Sequence, residues 1–350
     1  MINFESKYTQ LINAPIPANI VRLISQIQES KGRQDLFIQQ QPETLNSLLE
    51  VARIQSTEAS NKIEGIYTSN SRMKEIMEER TTPKNRDEEE IAGYRDVLDT
   101  IHSSYEYIPL TKNVILQLHR DLYKYSMGGN SGKWKQENNI IEEMDAAGNR
   151  SVRFTPTPAF EVNESIDNLC QSFNSALRKD LNPLIATFTF ILDFLCVHPF
   201  SDGNGRMSRL LTLLLLYRSG FIVGKYISIE RIIEKSKDTY YSSLKESSKN
   251  WHEEQNNIYP FVEYMLGVIL AAYTDFEERV IATGIKNLSK KEQVQRVFET
   301  TLGKITKSQI KTLCPNVSEA MIEKTLKELQ YKGYIIRHGV GKGSFYTKAN

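Results

Sequence analysis

His198-Pro199-Phe200-Ser201-Asp202-Gly203-Asn204-Gly205-Arg206-Met207-Ser208-Arg209 decides how this 350-residue chain is read. The stretch places a base, a carboxylate, two glycines and two arginines between segments that are apolar on every side, Leu184 to Val197 before it and Met207 to Ser219 after it. Helices without a polar face are buried, so the polar loop is held rigidly between two core helices. His198 has an ordinary pKa near ~6.5 and suits removal of a proton from a hydroxyl. Asp202 is a hard oxygen ligand for a magnesium ion. Gly203 and Gly205 permit positive φ and bring bare N–H groups to an anion. Arg206 and Arg209, three apart, share a face at the positive end of the following helix, where phosphate binds. Together these residues describe a polyphosphate site.

Working toward the N-terminus, Ile20, Ile24 and Ile27 recur at helical spacing, as do Leu45, Leu48, Leu49, Ala52 and Ile54. Thr44 to Glu64 reads as one helix stopped by Gly65. Further helices cover about Asp87 to Ser103 and, capped by Thr111, the stretch to about Tyr125, ahead of a loop at Gly128 to Gly132. Glu64 is oddly placed: a carboxylate in the last helical turn costs ~0.3–1 kcal/mol against the helix dipole. Ser60, four residues earlier on the same face, is positioned to hydrogen-bond it or to fix its rotamer. From Lys133 to Thr155 the pattern is extended. Ile140-Ile141 and Val152 to Phe154 flank the turn-rich Asp145 to Asn149, a β-hairpin whose open edge suits an extended peptide. Val162 to Arg178 is helical again. Tyr240, Tyr241 and Trp251 fall on helical stretches beyond the loop, and Tyr240 and Tyr241 are candidates to line an adenine pocket.

Composition bounds the rest. No run of about 18 apolar residues is present, the first residues do not read as a signal peptide, and Cys170, Cys196 and Cys314 lack metal-ligand spacing. A cytoplasmic protein with no membrane contact is expected. Residues 286 to 350 carry 13 Lys/Arg against 5 Asp/Glu, whereas the remainder carries 31 against 38. That basic tail gives helical patterns at Lys290 to Leu302, Thr306 to Leu313 and Ser318 to Lys332. The extended stretches Tyr334 to Arg337 and Ser344 to Thr347 follow. The order is similar to a winged helix-turn-helix, with Ser318, Lys324, Lys327 and Lys342 as candidate DNA contacts; such modules also pair proteins, so a homodimer is an alternative use.

The loop resembles the signature of the Fic family, His-Pro-Phe-x-Asp/Glu-Gly-Asn-Gly-Arg-x-x-Arg, at every fixed position. The resemblance implies a mainly α Fic-fold core with a β-hairpin flap. It also implies transfer of AMP from ATP to a Ser, Thr or Tyr hydroxyl of a target protein docked on that flap. His198 would be the general base and Asp202 would hold Mg2+. Gly203, Asn204 and Gly205 would cradle the phosphates, and Arg206 and Arg209 would grip the outer ones. Ser60-x-x-x-Glu64-Gly65 resembles the family's inhibitory helix motif, which implies that Glu64 pairs with Arg209 and misaligns ATP. The flap entry departs from the family: Lys133-Trp134-Lys135 stands where an Arg is frequent. The implied organisation is an N-terminal helical region (1–110), a catalytic core (111–285) and the winged-helix domain (286–350). The alternatives are phosphotransfer, removal of AMP, or a nucleotide-sensing DNA-binding regulator.

Overall fold

A computed structural model describes residues 2–40, 42–126, 131–144, 150–286, 289–300, 304–314, 317–339 and 341–349. The chain forms two compact units, Met1–Glu277 and Glu278–Asn350. The first begins with α1 (Phe4–Asn13), α2 (Ala18–Gln40), α3 (Pro42–Ile63), α4 (Asn70–Met77), α5 (Arg86–Ser104) and α6 (Lys112–Leu122). A hairpin of β1 (Ile141–Met144) and β2 (Arg150–Phe154) follows. Then come α7 (Val162–Arg178), α8 (Pro183–Val197), α9 (Asn204–Arg218), α10 (Ile229–Lys235), α11 (Lys237–Ser248) and α12 (Tyr259–Lys286). Among the described residues, no helix is long and apolar enough to cross a membrane.

The centre of this unit is α8 against α9, with α7 on α8 and α5 on α9. The Asn182 side chain caps α8 by accepting from Leu184 N and Ile185 N, and Pro183 occupies the first turn, where its missing N–H costs nothing. Asp193 of α8 is fully buried and is held by Lys7 Nζ at 2.5 Å and Trp251 Nε1 at 2.7 Å. Trp251 therefore differs from expectation: it lies in a turn past the end of α11 and serves the core.

The apolar pattern places the start of α9 at Met207, but the helix begins three residues earlier. Gly203, at φ +82°, turns the chain. The Asn204 side chain then accepts from Phe200 N at 3.0 Å and donates to Phe200 O at 2.7 Å, tying the loop into a closed bend. Asn204, Gly205 and Arg206 thus make the first helical turn.

At the far end of α3, Gly65 adopts φ +80°; its N–H bonds Lys62 O and that of Ile66 bonds Asn61 O, at 3.0 and 3.1 Å. This is the Schellman closure for which glycine is the favoured residue. The hairpin strands are antiparallel, with an irregular register between Ile141 and Glu142. Its turn (145–149) and most of the Gly128–Gly132 loop lie outside the described residues.

The second unit contains α13 (Lys290–Thr300), β3 (Ile305–Thr306), α14 (Lys307–Leu313), α15 (Glu319–Tyr331), β4 (Ile335–His338) and β5 (Phe345–Lys348). Its sheet order is β3-β5-β4. Val294, Phe298, Ile310, Ile322, Leu326 and Ile335 contribute to its own core. Thr306 and Gln309 form a capping box on α14, and the Ser318 hydroxyl caps α15 through Met321 N. Lys324 and Lys327 are exposed on α15, and so are Glu319 and Glu323, which mixes the charge of that face. The side chain of Lys342 lies outside the described residues.

Candidate active site

His198 caps α8 in the left-handed conformation, φ +51° and ψ +61°, which costs a residue with a Cβ ~1–2 kcal/mol. Surrounding packing enforces it. His198 N still bonds Phe194 O at 2.9 Å, and the buried Phe200 ring stacks on His119 at 3.7 Å. His198 Nδ1 lies 3.3 Å from Leu195 O. A carbonyl only accepts, so Nδ1 carries the proton and Nε2 presents a lone pair. Desolvation, with the Lys135 cation next in weight, lowers the imidazole pKa to about 4 against the opposing pull of the Leu195 carbonyl and Glu64. The ring is therefore neutral at physiological pH.

Lys135, which the sequence alone did not mark as functional, is buried beside it. Its N–H bonds Pro199 O at 2.9 Å and its Nζ bonds Asn139 Oδ1 at 2.7 Å and Val197 O at 3.4 Å, so it clasps carbonyls on both sides of His198. Burial lowers its pKa to about 8.

No side chain caps α9, which leaves the amides of its first turn to an external anion. Glu64 supplies one. A Cβ on Gly205 would lie 2.1 Å from Glu64 Oε1, so only glycine lets the carboxylate rest there. The same oxygen accepts from Arg209 Nη2 at 2.8 Å. Arg209 is 3% exposed and also donates to Ser60 Oγ at 2.8 Å and Ser60 O at 2.9 Å. Burial opposes the charge on Arg209, yet the Glu64 carboxylate beside it raises its pKa.

Two expectations change here. Ser60 bonds Arg209 and not Glu64, because the guanidinium reaches both. Glu64 lies just past α3, in the turn closed by Gly65, with its carboxylate at the positive end of α9. Lys237 Nζ donates to Ile63 O at 2.7 Å and supplies a cation at the negative end of α3.

Arg206 and Arg209 do not share partners. Arg206 is buried, donates to Tyr123 Oη at 2.7 Å and lies 2.6 Å from Glu90 Oε2. That second contact is an ion pair between two buried side chains, so Glu90 neutralises Arg206, whose Nε has no hydrogen-bond partner.

Asp202 Oδ1 accepts from Gly203 N at 2.7 Å and Oδ2 from Arg86 Nη2 at 2.9 Å. Burial pushes its pKa up, but Arg206, Tyr123, Gly203 N and Arg86 together hold it below the usual value. A carboxylate that is ionised and 55% exposed fits a magnesium ion, which ordinarily takes one or two protein carboxylates with phosphate and water oxygens. Arg86, 73% exposed, is free to yield its place. His119 fixes the loop from below: Gly132 N donates to its Nδ1 at 3.0 Å, so its Nε2 carries the proton and donates to Asp202 O at 3.2 Å.

Burial also lowers the His119 pKa to about 4. In the unfolded chain both His119 and His198 bind a proton near ~6.5, whereas in the folded chain they stay neutral to about 4. The unfolded state therefore binds more protons between those values, and stability falls as pH drops from ~6.5 toward 4. Melting temperatures measured from pH 7 to 4.5 should decline steadily, by an amount equivalent to up to ~5 kcal/mol for the two rings together. A flat or rising profile would contradict the burial of these rings.

A cavity of about 610 Å³ brings together Glu64, His198, Gly205, Arg209, Tyr240 and Tyr241. Ser60, Gly65, Asp202, Gly203, Asn204 and Arg206 are not part of its wall. Leu192, Leu195, Cys196 and Leu244 make its apolar end, and Ile141, Glu142, Glu143, Arg153 and Phe154 of the hairpin make its rim. Tyr240 is 3% exposed and packs on Phe261 and Tyr264 as core, while Tyr241 is half-buried and presents its ring.

Known proteins resemble this chain in sequence and in fold. Residues 109–216 match the Fic/DOC family, a stretch that includes the signature loop and hairpin but not Ser60 or Glu64. The chain is 32% identical over 117 residues to the protein adenylyltransferase fic-1 of Caenorhabditis elegans, covering 32% of this chain and 20% of that one. It is 25% identical over 171 residues to the protein adenylyltransferase Fic of Nematostella vectensis, covering 46% and 37%. The match thus spans about a fifth of the nematode protein. In structure, a Fic family protein of Desulfovibrio desulfuricans G20 superposes with a TM-score of 0.62 at 20% identity, over 96% of this chain and 98% of that one. A Fic domain-containing signalling protein of Bacteroides thetaiotaomicron gives 0.60 at 22% identity, over 76% and 97%. With the fold, the signature loop and the sequence match in agreement, the chain carries a Fic/DOC family domain over residues 109–216.

Proposed function

We propose that this protein is an adenylyltransferase that moves AMP from ATP to a hydroxyl side chain of a target protein and is held inactive by its own Glu64. The observation that carries the reading is the occupancy of the uncapped α9 N-terminus: a carboxylate lies on Gly205 and Arg209, on the wall of a cavity shared with a neutral histidine. An anion site already filled by an internal anion is a site with a competitor built in. The relatives' names point to the same chemistry.

In the active arrangement Arg209 and the first-turn amides of α9 bind the outer phosphates, and Arg206, buried against Tyr123 and Glu90, holds that turn in place. Tyr241 and the apolar wall take adenine. His198 Nε2 accepts the proton of the target hydroxyl, whose oxygen forms the bond to the α phosphorus as the bond to the bridging oxygen breaks and pyrophosphate departs. Proximity and fixed charge do most of the work. Asp202 holds Mg2+, which when bound neutralises phosphate charge. The target segment adds alongside the open edge of the hairpin.

Mass spectrometry of a lysate incubated with MgATP and the Glu64→Gly protein tests this reading. Gain of AMP on target proteins supports it, gain of phosphate reassigns the protein as a phosphotransferase, and no gain over the His198→Ala control overturns it.

A further inference from the structure

The hairpin is irregular where it meets the cavity. Ile141 faces Phe154 and the next residue, Glu142, faces Val152, so Arg153 stands in β2 with no residue opposite. A bulge of this kind re-aims the extra side chain. Arg153 lines the cavity with His198 and Tyr241, its guanidinium 5.9 Å from the Tyr241 ring centre.

The other charges on the wall are matched. Glu64 has Arg209, Glu143 has Lys245 at 2.7 Å, and Glu142 lies 3.7 Å from Arg150. Arg153 has no ion pair or hydrogen bond among the described residues, and its Nε is buried without a partner. An unmatched, partly desolvated cation is costly, and this one is held at the hairpin's anchored base. Phe154 packs on Trp251 at 6.1 Å and His252 at 5.5 Å, and His252 Nε2 bonds Thr155 O at 2.8 Å. The bulge therefore presents a positive charge into the cavity for an anion that the protein does not supply.

We infer that Arg153 binds the α-phosphoryl group of the nucleotide. The inference rests on the adenylyltransferase reading, in which the outer phosphates lie at Gly205 and Arg209 and the base lies at Tyr241. The α-phosphoryl group falls between them, beside His198, on the stretch of wall to which Arg153 belongs. A guanidinium offers paired donors to phosphate oxygens. The same donors meet the negative charge that these oxygens bear as AMP is transferred.

Calorimetric titration of the Glu64→Gly protein, alone and combined with Arg153→Gln or Arg153→Lys, tests this with MgATP, AMP and adenosine as the titrants. Arg153→Gln should weaken AMP and MgATP by about tenfold or more and adenosine by less than about threefold, with Arg153→Lys recovering part of the loss. Adenosine binding also reports that the variant is folded. Unchanged AMP binding overturns the inference, as does an equal loss for adenosine, which would mark Arg153 as a stacking partner of the base. A loss confined to the KM of the protein substrate also overturns it, since the anion would then belong to the target. If the Glu64→Gly protein with Arg153 intact binds no nucleotide, the adenylyltransferase reading itself falls.

Discussion

Glu64→Gly should raise the rate of AMP transfer by roughly 10- to 100-fold, the range of a coupling between sites of ~1–3 kcal/mol. The carboxylate holds Arg209 Nη2 at 2.8 Å and lies against the first turn of α9, so the outer phosphates of ATP must displace it. Glycine removes the competitor. Arg209 keeps its two bonds to Ser60, at 2.8 and 2.9 Å, and so stays aimed. Breaking a buried ion pair costs ~3–5 kcal/mol, but the Glu64 side chain is 31% exposed and the loss here should be well below that. Glu64→Gln should fall between wild type and glycine, since the amide keeps the contact to Arg209 without the charge. Initial rates with labelled ATP check this series. Equal rates for all three proteins would mean that the contact has no inhibitory role.

His198→Ala in the Glu64→Gly background should lower the transfer rate by about 10²- to 10⁴-fold, the usual contribution of a positioned general base. Nucleotide affinity should change little, because the ring's bonds are to the protein and its lone pair faces the cavity. The pH profile provides a second check. With the imidazole pKa near 4, the base is already unprotonated at pH 6, and the acid limb of kcat/KM should lie below the ~6.5 of an ordinary histidine. A variant within tenfold of its parent would remove His198 from the chemistry.

Much of this site is written in consecutive residues, because a loop between two wholly apolar helices has little freedom in where it goes. His198, Asp202 and the glycines are legible for that reason, and so is the end of α3 at Gly65, which local backbone geometry dictates. The polar partners were harder to read. His119, Tyr123, Glu90 and Arg86 reach the loop from α5 and α6, and nothing in their own segments distinguishes them from other surface or core residues. The Ser60–Arg209 bond replaces the expected Ser60–Glu64 one because a third side chain from α9 comes between them, which spacing along α3 cannot reveal. The position of Glu64 is unfavourable on α3 alone; α9, whose positive end it meets, accounts for it. Arg153 is visible only through strand register, since one extra residue in β2 reverses the side to which its side chain points.

The account stands on nucleotide chemistry at the α phosphorus. The most direct measurement compares ATP labelled at the α position with ATP labelled at the γ position, each incubated with the Glu64→Gly protein, magnesium and a cell lysate. The expected result is that the α label appears covalently on protein, that the γ label leaves with pyrophosphate, and that the α label is lost from protein with His198→Ala. Retention of the γ label, or of neither, would contradict it.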